Sequence, residues 1–435
     1  MGQLPPVDAV RIEEMINYFS YDYPEPEGRH PFSVYTELAV CPWNTGHQLL
    51  HVGLKGESID KEELPASNLV FLLDVSGSMN SPNKLPLLKN AFHMLVNELR
   101  EEDRVAIVVY AGAAGLVLES TSGTEKQAIL DAINRLSAGG STAGGEGLLL
   151  AYKVAEENFI EGGNNRIILA TDGDFNIGAS SNAEMERLIA KKRDKGVFMT
   201  VLGFGMGNYK DDKMEIIADK GNGNYAYIDN IQEARKVMVS EFGGTLFTIA
   251  KDVKFQLEFN PARVKAYRLI GYENRLLNDE DFNDDKKDAG EMGSGHNVTA
   301  LYELIPAGSE ENISSIDPLK YQKNQDIVRT NSKAELLTVK LRYKEPDGHT
   351  STKFEKAVKG EVLAVNKTSV SFRFSAAVAQ FGMILRDSEF KGKASIENVV
   401  SLAQNSRGSD PEGYRGEFLK IVKTAESLID MRAEK

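Results

Sequence analysis

Val70-Phe71-Leu72-Leu73 runs without polar interruption into Asp74, and Ser76 and Ser78 follow at spacings of two. A short run of this kind reads as a strand covered on both faces, because a half-exposed strand would alternate apolar and polar residues. Gly77, between the hydroxyls, lets the backbone turn. A carboxylate and two hydroxyls at the end of such a strand are hard oxygen donors, suited to a divalent cation such as Mg²⁺. In an open parallel sheet, ligands gather at the carboxyl edge of the strands. The segment therefore predicts a metal site.

Two later segments complete the pattern. Gly139-Gly140-Ser141-Thr142-Ala143-Gly144-Gly145 is a Gly-rich loop offering hydroxyls just before a helical stretch, and Arg166 to Thr171 is a second buried strand ending in Asp172-Gly173. Asp-x-Ser-x-Ser, a lone Thr and Asp-Gly, in this order, resemble the metal-ion-dependent adhesion site of von Willebrand factor type A (VWA) domains. The resemblance implies a metal set of Asp74, Ser76, Ser78, Thr142 and Asp172. Asp174 and Glu146 lie beside the set but are not required by the pattern, and both read as solvated loop acids.

Residues from about 67 to 245 follow the strand–helix alternation of that domain. The flanking text Asp8-Ala9-Val10-Arg11-Ile12-Glu13-Glu14-Met15-Ile16-Asn17-Tyr18-Phe19 and Cys41-Pro42-Trp43-Asn44 is similar to a bacterial subgroup of VWA proteins, many of them predicted envelope lipoproteins. The resemblance thus implies an extracytoplasmic setting, with a cytoplasmic one as the alternative. The start at Met1-Gly2-Gln3-Leu4-Pro5-Pro6 carries no charged-then-apolar targeting pattern. An envelope protein would then be seen here as a mature fragment.

Three neutral hydroxyls in the inner shell give a cation little negative charge. Asp74 and Asp172 act directly or through water and hold those ligands in place. The ion keeps a position for an outside oxygen, and a partner's Asp or Glu is its natural occupant. The expected function is non-enzymatic binding through Mg²⁺, or through Ca²⁺ or Mn²⁺ in its stead, to a protein that presents an acidic side chain.

Composition excludes several other roles. A net charge of −13 disfavours nucleic acid and anionic membrane surfaces, both of which need cationic footprints. No apolar run approaches the roughly 18 residues of a transmembrane helix. Cys41 is the single cysteine, so no intrachain disulfide can form, and beside Pro42 and Trp43 it reads as a buried small hydrophobe.

At 435 residues the chain exceeds what one core fills. The expected fold class is α/β, a doubly wound and mostly parallel sheet of VWA type inserted in a β-sandwich-like domain, with additional terminal helices. The expected divisions are an N-terminal helix and connector over 1–30, strands joining the β-domain over 31–60, the VWA domain over 64–247, the β-domain over 250–366 and a helical segment over 367–435. Within the VWA part, strands near 68–74, 104–110, 166–171, 197–202 and 224–228 alternate with helices near 83–100, 124–136, 146–158, 182–195, 211–220 and 231–246. Residues 116–118 suggest an antiparallel edge strand. Short strands with turn punctuation follow at 253–259, 264–272, 298–305, 336–343 and 354–357. Asn274 to Gly295 reads as a mobile loop. Asp410-Pro411 reads as a cap with Pro in the first turn of a last helix.

Rival motifs fail on inspection. Glu146 stands where a phosphate loop needs Lys. Gly203-Phe204-Gly205-Met206-Gly207 lacks the third glycine of a dinucleotide fingerprint at its spacing. The six histidines show no metal-ligand spacing. A phosphohydrolase of the haloacid dehalogenase type would use Asp74 as nucleophile, but it needs an acid two residues later, where Ser76 stands. An adaptor that regulates an intracellular ATPase is the other alternative.

Overall fold

The computed structural model describes residues 3–140, 144–173, 175, 182–205, 211–240, 247–272, 282–285, 289–311, 335–346, 348 and 350–433. Elements are numbered in chain order. The described residues form two units, one holding residues 1–57, 249–290 and 297–435, the other 58–248 and 291–296.

The chain opens with helix α1 (Ile12–Asn17) and the strands β1 (Phe32–Cys41) and β2 (Asn44–Gly56), an antiparallel pair. It then builds the second unit from β3 (Ser67–Asp74), β4 (Arg104–Tyr110), β5 (Ala114–Ser122), β6 (Asn164–Thr171), β7 (Val197–Phe204) and β8 (Tyr225–Ile228). These form one six-stranded sheet in the order β5-β4-β3-β6-β7-β8. Every pairing is parallel except that of the edge strand β5 with β4.

The uninterrupted apolar run in β3 now has its cause. Leu69, Phe71 and Leu73 pack into one core with helices α2 (Leu85–Glu98) and α3 (Lys126–Arg135). Val70 and Leu72 pack into another with α4 (Gly144–Glu157) and α6 (Asp211–Lys220), on the opposite face. β6 divides in the same way, with Ile168 and Ala170 on the first side and Ile167 and Leu169 on the second. Successive strand residues point to opposite faces, so a sheet covered by helices on both sides demands apolar residues at every position. Each buried Leu, Ile or Phe contributes roughly 1.5–3 kcal/mol relative to exposure. Helix α5 (Asn182–Arg193) and the short helix α7 (Ile231–Arg235) complete the unit.

In the first unit, β10 (Val264–Leu269), β12 (Asn297–Pro306), β2, β1 and β15 (Val362–Leu363) form a five-stranded sheet in that order. β9 (Thr248–Phe259), β13 (Leu337–Lys344) and β14 (Thr352–Val358) pair antiparallel in a second sheet. Rings join the two sheets: Phe32 meets Tyr343 at 4.8 Å between centroids, and Phe259 meets Tyr267 at 4.2 Å. Helices α1, α8 (Val370–Leu385), α9 (Ile396–Asn405) and α10 (Tyr414–Ala433) share a core with Ala39, Cys41, Trp43, Leu49 and Leu301. Cys41 is fully buried, as expected of it, and burial pushes its thiol up to about 12.

Several expectations are corrected. The helix expected over 231–246 is a short α-helix that continues as a π-helix over Lys236–Ser240, and 241–246 lie outside the described residues. In the stretch expected to be a mobile loop or a solvated hairpin insert with no binding role, Phe282 and Met292 are buried and Gly290–Gly293 forms a strand, β11. Most of 274–288 lies outside the described residues. Asp410 does cap, accepting from the backbone N–H of Arg415 at 3.1 Å and of Gly416 at 2.8 Å. Pro411, however, precedes the first turn of α10, which starts at Tyr414. Helix α9 lies inside the segment expected to be helical, although the sequence does not delimit it there as a separate helix.

Candidate metal centre

β3 and β6 are neighbours in register, so their carboxyl ends bring Asp74, Thr171 and Asp172 to one edge of the sheet. Asp74 is fully buried, and its Oδ1 accepts from the backbone N–H of Ser76 at 2.8 Å. This bond tightens the turn that carries the hydroxyls. Ser76 is buried, Ser78 is exposed, and their Oγ atoms lie 3.0 Å apart. The three oxygen-bearing side chains of the first segment therefore run from the interior to the surface.

The Gly-rich loop is tied to this turn through its backbone. Gly139 N–H donates to Val75 O at 2.8 Å, and Gly77 N–H donates to Gly140 O at 3.1 Å. Gly140 has φ +83°, and a Cβ there would stand 3.1 Å from Gly112 N, so the position favours glycine twice over. Thr142 and Asp174 lie outside the described residues. Glu146, on the first turn of α4, is exposed. Gly147 one residue on lets α4 press against the sheet, since a Cβ there would come 2.8 Å from Tyr110 Cβ.

Three further residues belong to the site and carried no readable signal in the sequence. Thr171 is fully buried; its Oγ1 donates to Asp74 Oδ2 at 3.4 Å and accepts from Gly173 N–H at 3.2 Å. Tyr110 pairs with Asp74 across the β3–β4 ladder and is fully buried. Burial first, and the Asp74 charge second, hold its phenol well above the usual tyrosine range. Lys84 donates from Nζ to Asp172 Oδ2 at 2.8 Å. A Thr ending a strand and a Lys before a helix look like ordinary punctuation until the fold brings them together.

The electrostatics favour a cation. Burial raises the pKa of Asp74, bonds from Ser76 lower it, and the Asp172 charge adds to the rise. Two carboxylates drawn into one partly dry edge repel each other, and a positive charge between them relieves the strain. Oxygen-only donors with a high share of neutral hydroxyls fit Mg²⁺ or Ca²⁺ and give no soft ligand for a thiophilic metal. Asp74, Ser76, Ser78 and Asp172 would hold such an ion. It would supply a fixed positive charge with room for an outside oxygen. Among the described residues, no group of three or more His, Cys, Asp or Glu forms a different metal site.

The sequence matches the description "von Willebrand factor" over residues 1–51, "von Willebrand factor type A domain" over 68–239 and "Uncharacterized protein YfbK, C-terminal" over 244–428. It is 45% identical to the uncharacterized protein YfbK of Escherichia coli K12 over 437 aligned positions, 99% of this chain and 75% of the relative. The chain belongs to the YfbK family of VWA proteins. An uncharacterized protein of Synechocystis, sll0103, is 32% identical over 44% of each chain. A VWA structure from Catenulispora acidiphila aligns over 92% of this chain and 91% of its own, at 16% identity and a TM-score of 0.43. In this YfbK-family chain, the six-stranded sheet is a VWA sheet, and Asp74, Ser76, Ser78 and Asp172 lie at its carboxyl edge. A VWA domain supports a non-enzymatic role in adhesion or interaction.

Proposed function

We propose that this YfbK-family protein binds a partner protein by gripping one of its Asp or Glu side chains through a divalent cation, Mg²⁺ foremost. The ion would be held by Asp74, Ser76, Ser78, Thr142 and Asp172. The observation that carries this reading is the short line of oxygens from Asp74, fully buried, through Ser76 to Ser78, exposed. An ion seated on such a line has its charge anchored in the protein and one face turned outward. An anion arriving there replaces water rather than a protein ligand. Ser76 occupies the position where a phosphohydrolase would need an acid, so a binding role fits better than a hydrolytic one.

Isothermal titration of the full chain with MgCl₂ tests the metal, with Asp74→Ala as the comparison. The reading expects saturable binding in the wild type and none in the variant; equal heats in both would sink it. The acidic partner is tested by capture from bacterial envelope extract with and without chelator. A partner held through the ion is lost on chelation, lost with Asp74→Ala, and displaced by a soluble peptide rich in Asp. We further propose an extracytoplasmic location, on the similarity of the flanking segments to envelope proteins. Fractionation of cells expressing the full-length gene would reveal a cytoplasmic pool if this is wrong.

A further inference from the structure

The ammonium of Lys84 sits on one of the carboxylates proposed to hold the ion. Its seat is built. Lys84 is the last residue before α2, and both of its backbone groups are engaged: its N–H donates to Ser81 O at 3.0 Å and its carbonyl accepts from Leu88 N–H at 2.8 Å. The side chain thus leaves from a fixed point in a fixed direction. Its stem crosses Gly205 at the end of β7, where φ is +93° and a Cβ would meet Lys84 Cγ at 3.0 Å and Cδ at 3.2 Å. Any side chain at 205 would fill the path that the stem takes. Nζ then reaches Asp172 Oδ2 at 2.8 Å, with side-chain exposures of 18% for Lys84 and 3% for Asp172. This is no surface pair of the kind worth little.

We propose that Lys84 is a tethered cation that competes with the divalent ion for Asp172 and so sets the metal affinity of the site. This rests on the reading of Asp172 as part of the metal set. A carboxylate committed to an ammonium is a poorer ligand for a second cation, and an ammonium left beside a divalent ion is repelled by it. Metal arrival therefore has to displace the Lys84 head, and the long flexible stem allows the head to swing toward solvent. The proposed effect is a weakened ion affinity, with the charge of Asp172 neutralised in the metal-free state. Metal then gains its full hold only when something else on the outward face, such as a partner's carboxylate, adds to it.

The test is Mg²⁺ titration of the full chain as wild type, Lys84→Met, Lys84→Gln, Lys84→Arg and Asp74→Ala. Lys84→Met and Lys84→Gln should bind Mg²⁺ about tenfold more tightly than the wild type, a factor equal to ~1.4 kcal/mol. Lys84→Arg, which keeps the charge, should stay near wild type. In the wild type, the Nζ signal of Lys84 in a lysine-selective ¹H–¹⁵N spectrum should lose its protection as Mg²⁺ is added, a readout that needs no variant. Equal or weaker Mg²⁺ binding by both neutral variants, or an unmoved Nζ signal at saturation, overturns the proposal. If the wild type binds and Asp74→Ala does not, that failure falls on Lys84 alone. If neither binds, the metal reading fails and takes this one with it.

Discussion

His51 and Ser375, 324 residues apart in the chain, share a hydrogen bond of 2.9 Å between Nδ1 and Oγ in the core of the first unit. The proton positions along this chain of groups follow from counting donors. Ser375 Oγ donates to Phe372 O at 3.0 Å, so it accepts from His51 Nδ1–H. The Nε2 lone pair then accepts from Tyr23 O–H at 2.6 Å, and Thr299 Oγ1 donates to Tyr23 at 2.7 Å. In this arrangement His51 is neutral and each ring nitrogen has a partner. Satisfied buried networks of this kind specify one arrangement of the strands and helix that they join.

Burial depresses the pKa of His51 to about 3. Between the ordinary histidine value of about 6.5 and that value, the unfolded chain binds a proton that the folded one refuses. Stability from this source is full above pH 6.5 and falls by about 1.4 kcal/mol for each pH unit below it. Chemical denaturation from pH 7 to pH 4 should show His51→Gln destabilised at pH 7, with the gap to wild type narrowing as pH falls. A gap independent of pH would contradict the assignment.

His47, on the same strand, should behave in the opposite sense. Burial lowers its pKa, but Glu311 and Glu303 outweigh that and the net shift is upward. Its Nδ1 lies 2.5 Å from Glu303 Oε1 and its Nε2 lies 2.6 Å from Glu311 Oε2, so both nitrogens donate only in the charged form. Its contribution is complete below the unfolded value of about 6.5 and is lost as pH rises through the folded one. In a histidine-selective NMR titration, His47 should turn over above pH 6.5 while His51 shows no turnover down to pH 4. A common midpoint for both rings would exclude this account.

Asp74→Asn should separate stability from binding. Ionised Asp74 is buried and repelled by Asp172, whereas an amide keeps the acceptor for Ser76 N–H without the charge. The metal-free variant should melt above the metal-free wild type, and saturating MgCl₂ should raise Tm in the wild type only. A Mg²⁺-dependent rise in the variant would show that Asp74 is not needed for the ion.

Gly147→Ala tests how α4 is seated. The added methyl would meet Tyr110 Cβ at 2.8 Å and Leu72 Cδ1 at 3.2 Å, so α4 must shift away from the sheet. Overpacking of this sort costs about 1–3 kcal/mol, readable as a lower urea midpoint with an unchanged slope. Because α4 follows directly from the Gly-rich loop, weaker Mg²⁺ binding should accompany it.

Where apolar spacing decides the structure, the sequence was legible. β3 and β6 announce themselves because burial on both faces leaves no room for a polar residue, and the helix α6 (Asp211–Lys220) matches the span that its periodicity predicts. The hydroxyl-and-carboxylate motif at Asp74, Ser76 and Ser78 is readable because those side chains come from one turn. What stayed hidden depends on chain-distant neighbours. Lys84 reads as one more polar residue before a helix until β6 puts Asp172 beside it. Thr171 acquires a role only through its bond to Asp74. The π-helical turn at Lys236–Ser240 leaves no trace in hydrophobic spacing, because one extra residue per turn slips the stripe without breaking it.

Cys41 is the sole thiol of the chain and has no exposed surface. A thiol reagent therefore finds nothing to modify on the folded molecule, and its reaction rate becomes a clock for the opening of the sheet around β1. The same solitude makes the protein ready for site-directed labelling: a cysteine introduced on the outward rim, at Ser78 or along α4, would be the only handle that a fluorophore or spin probe could reach.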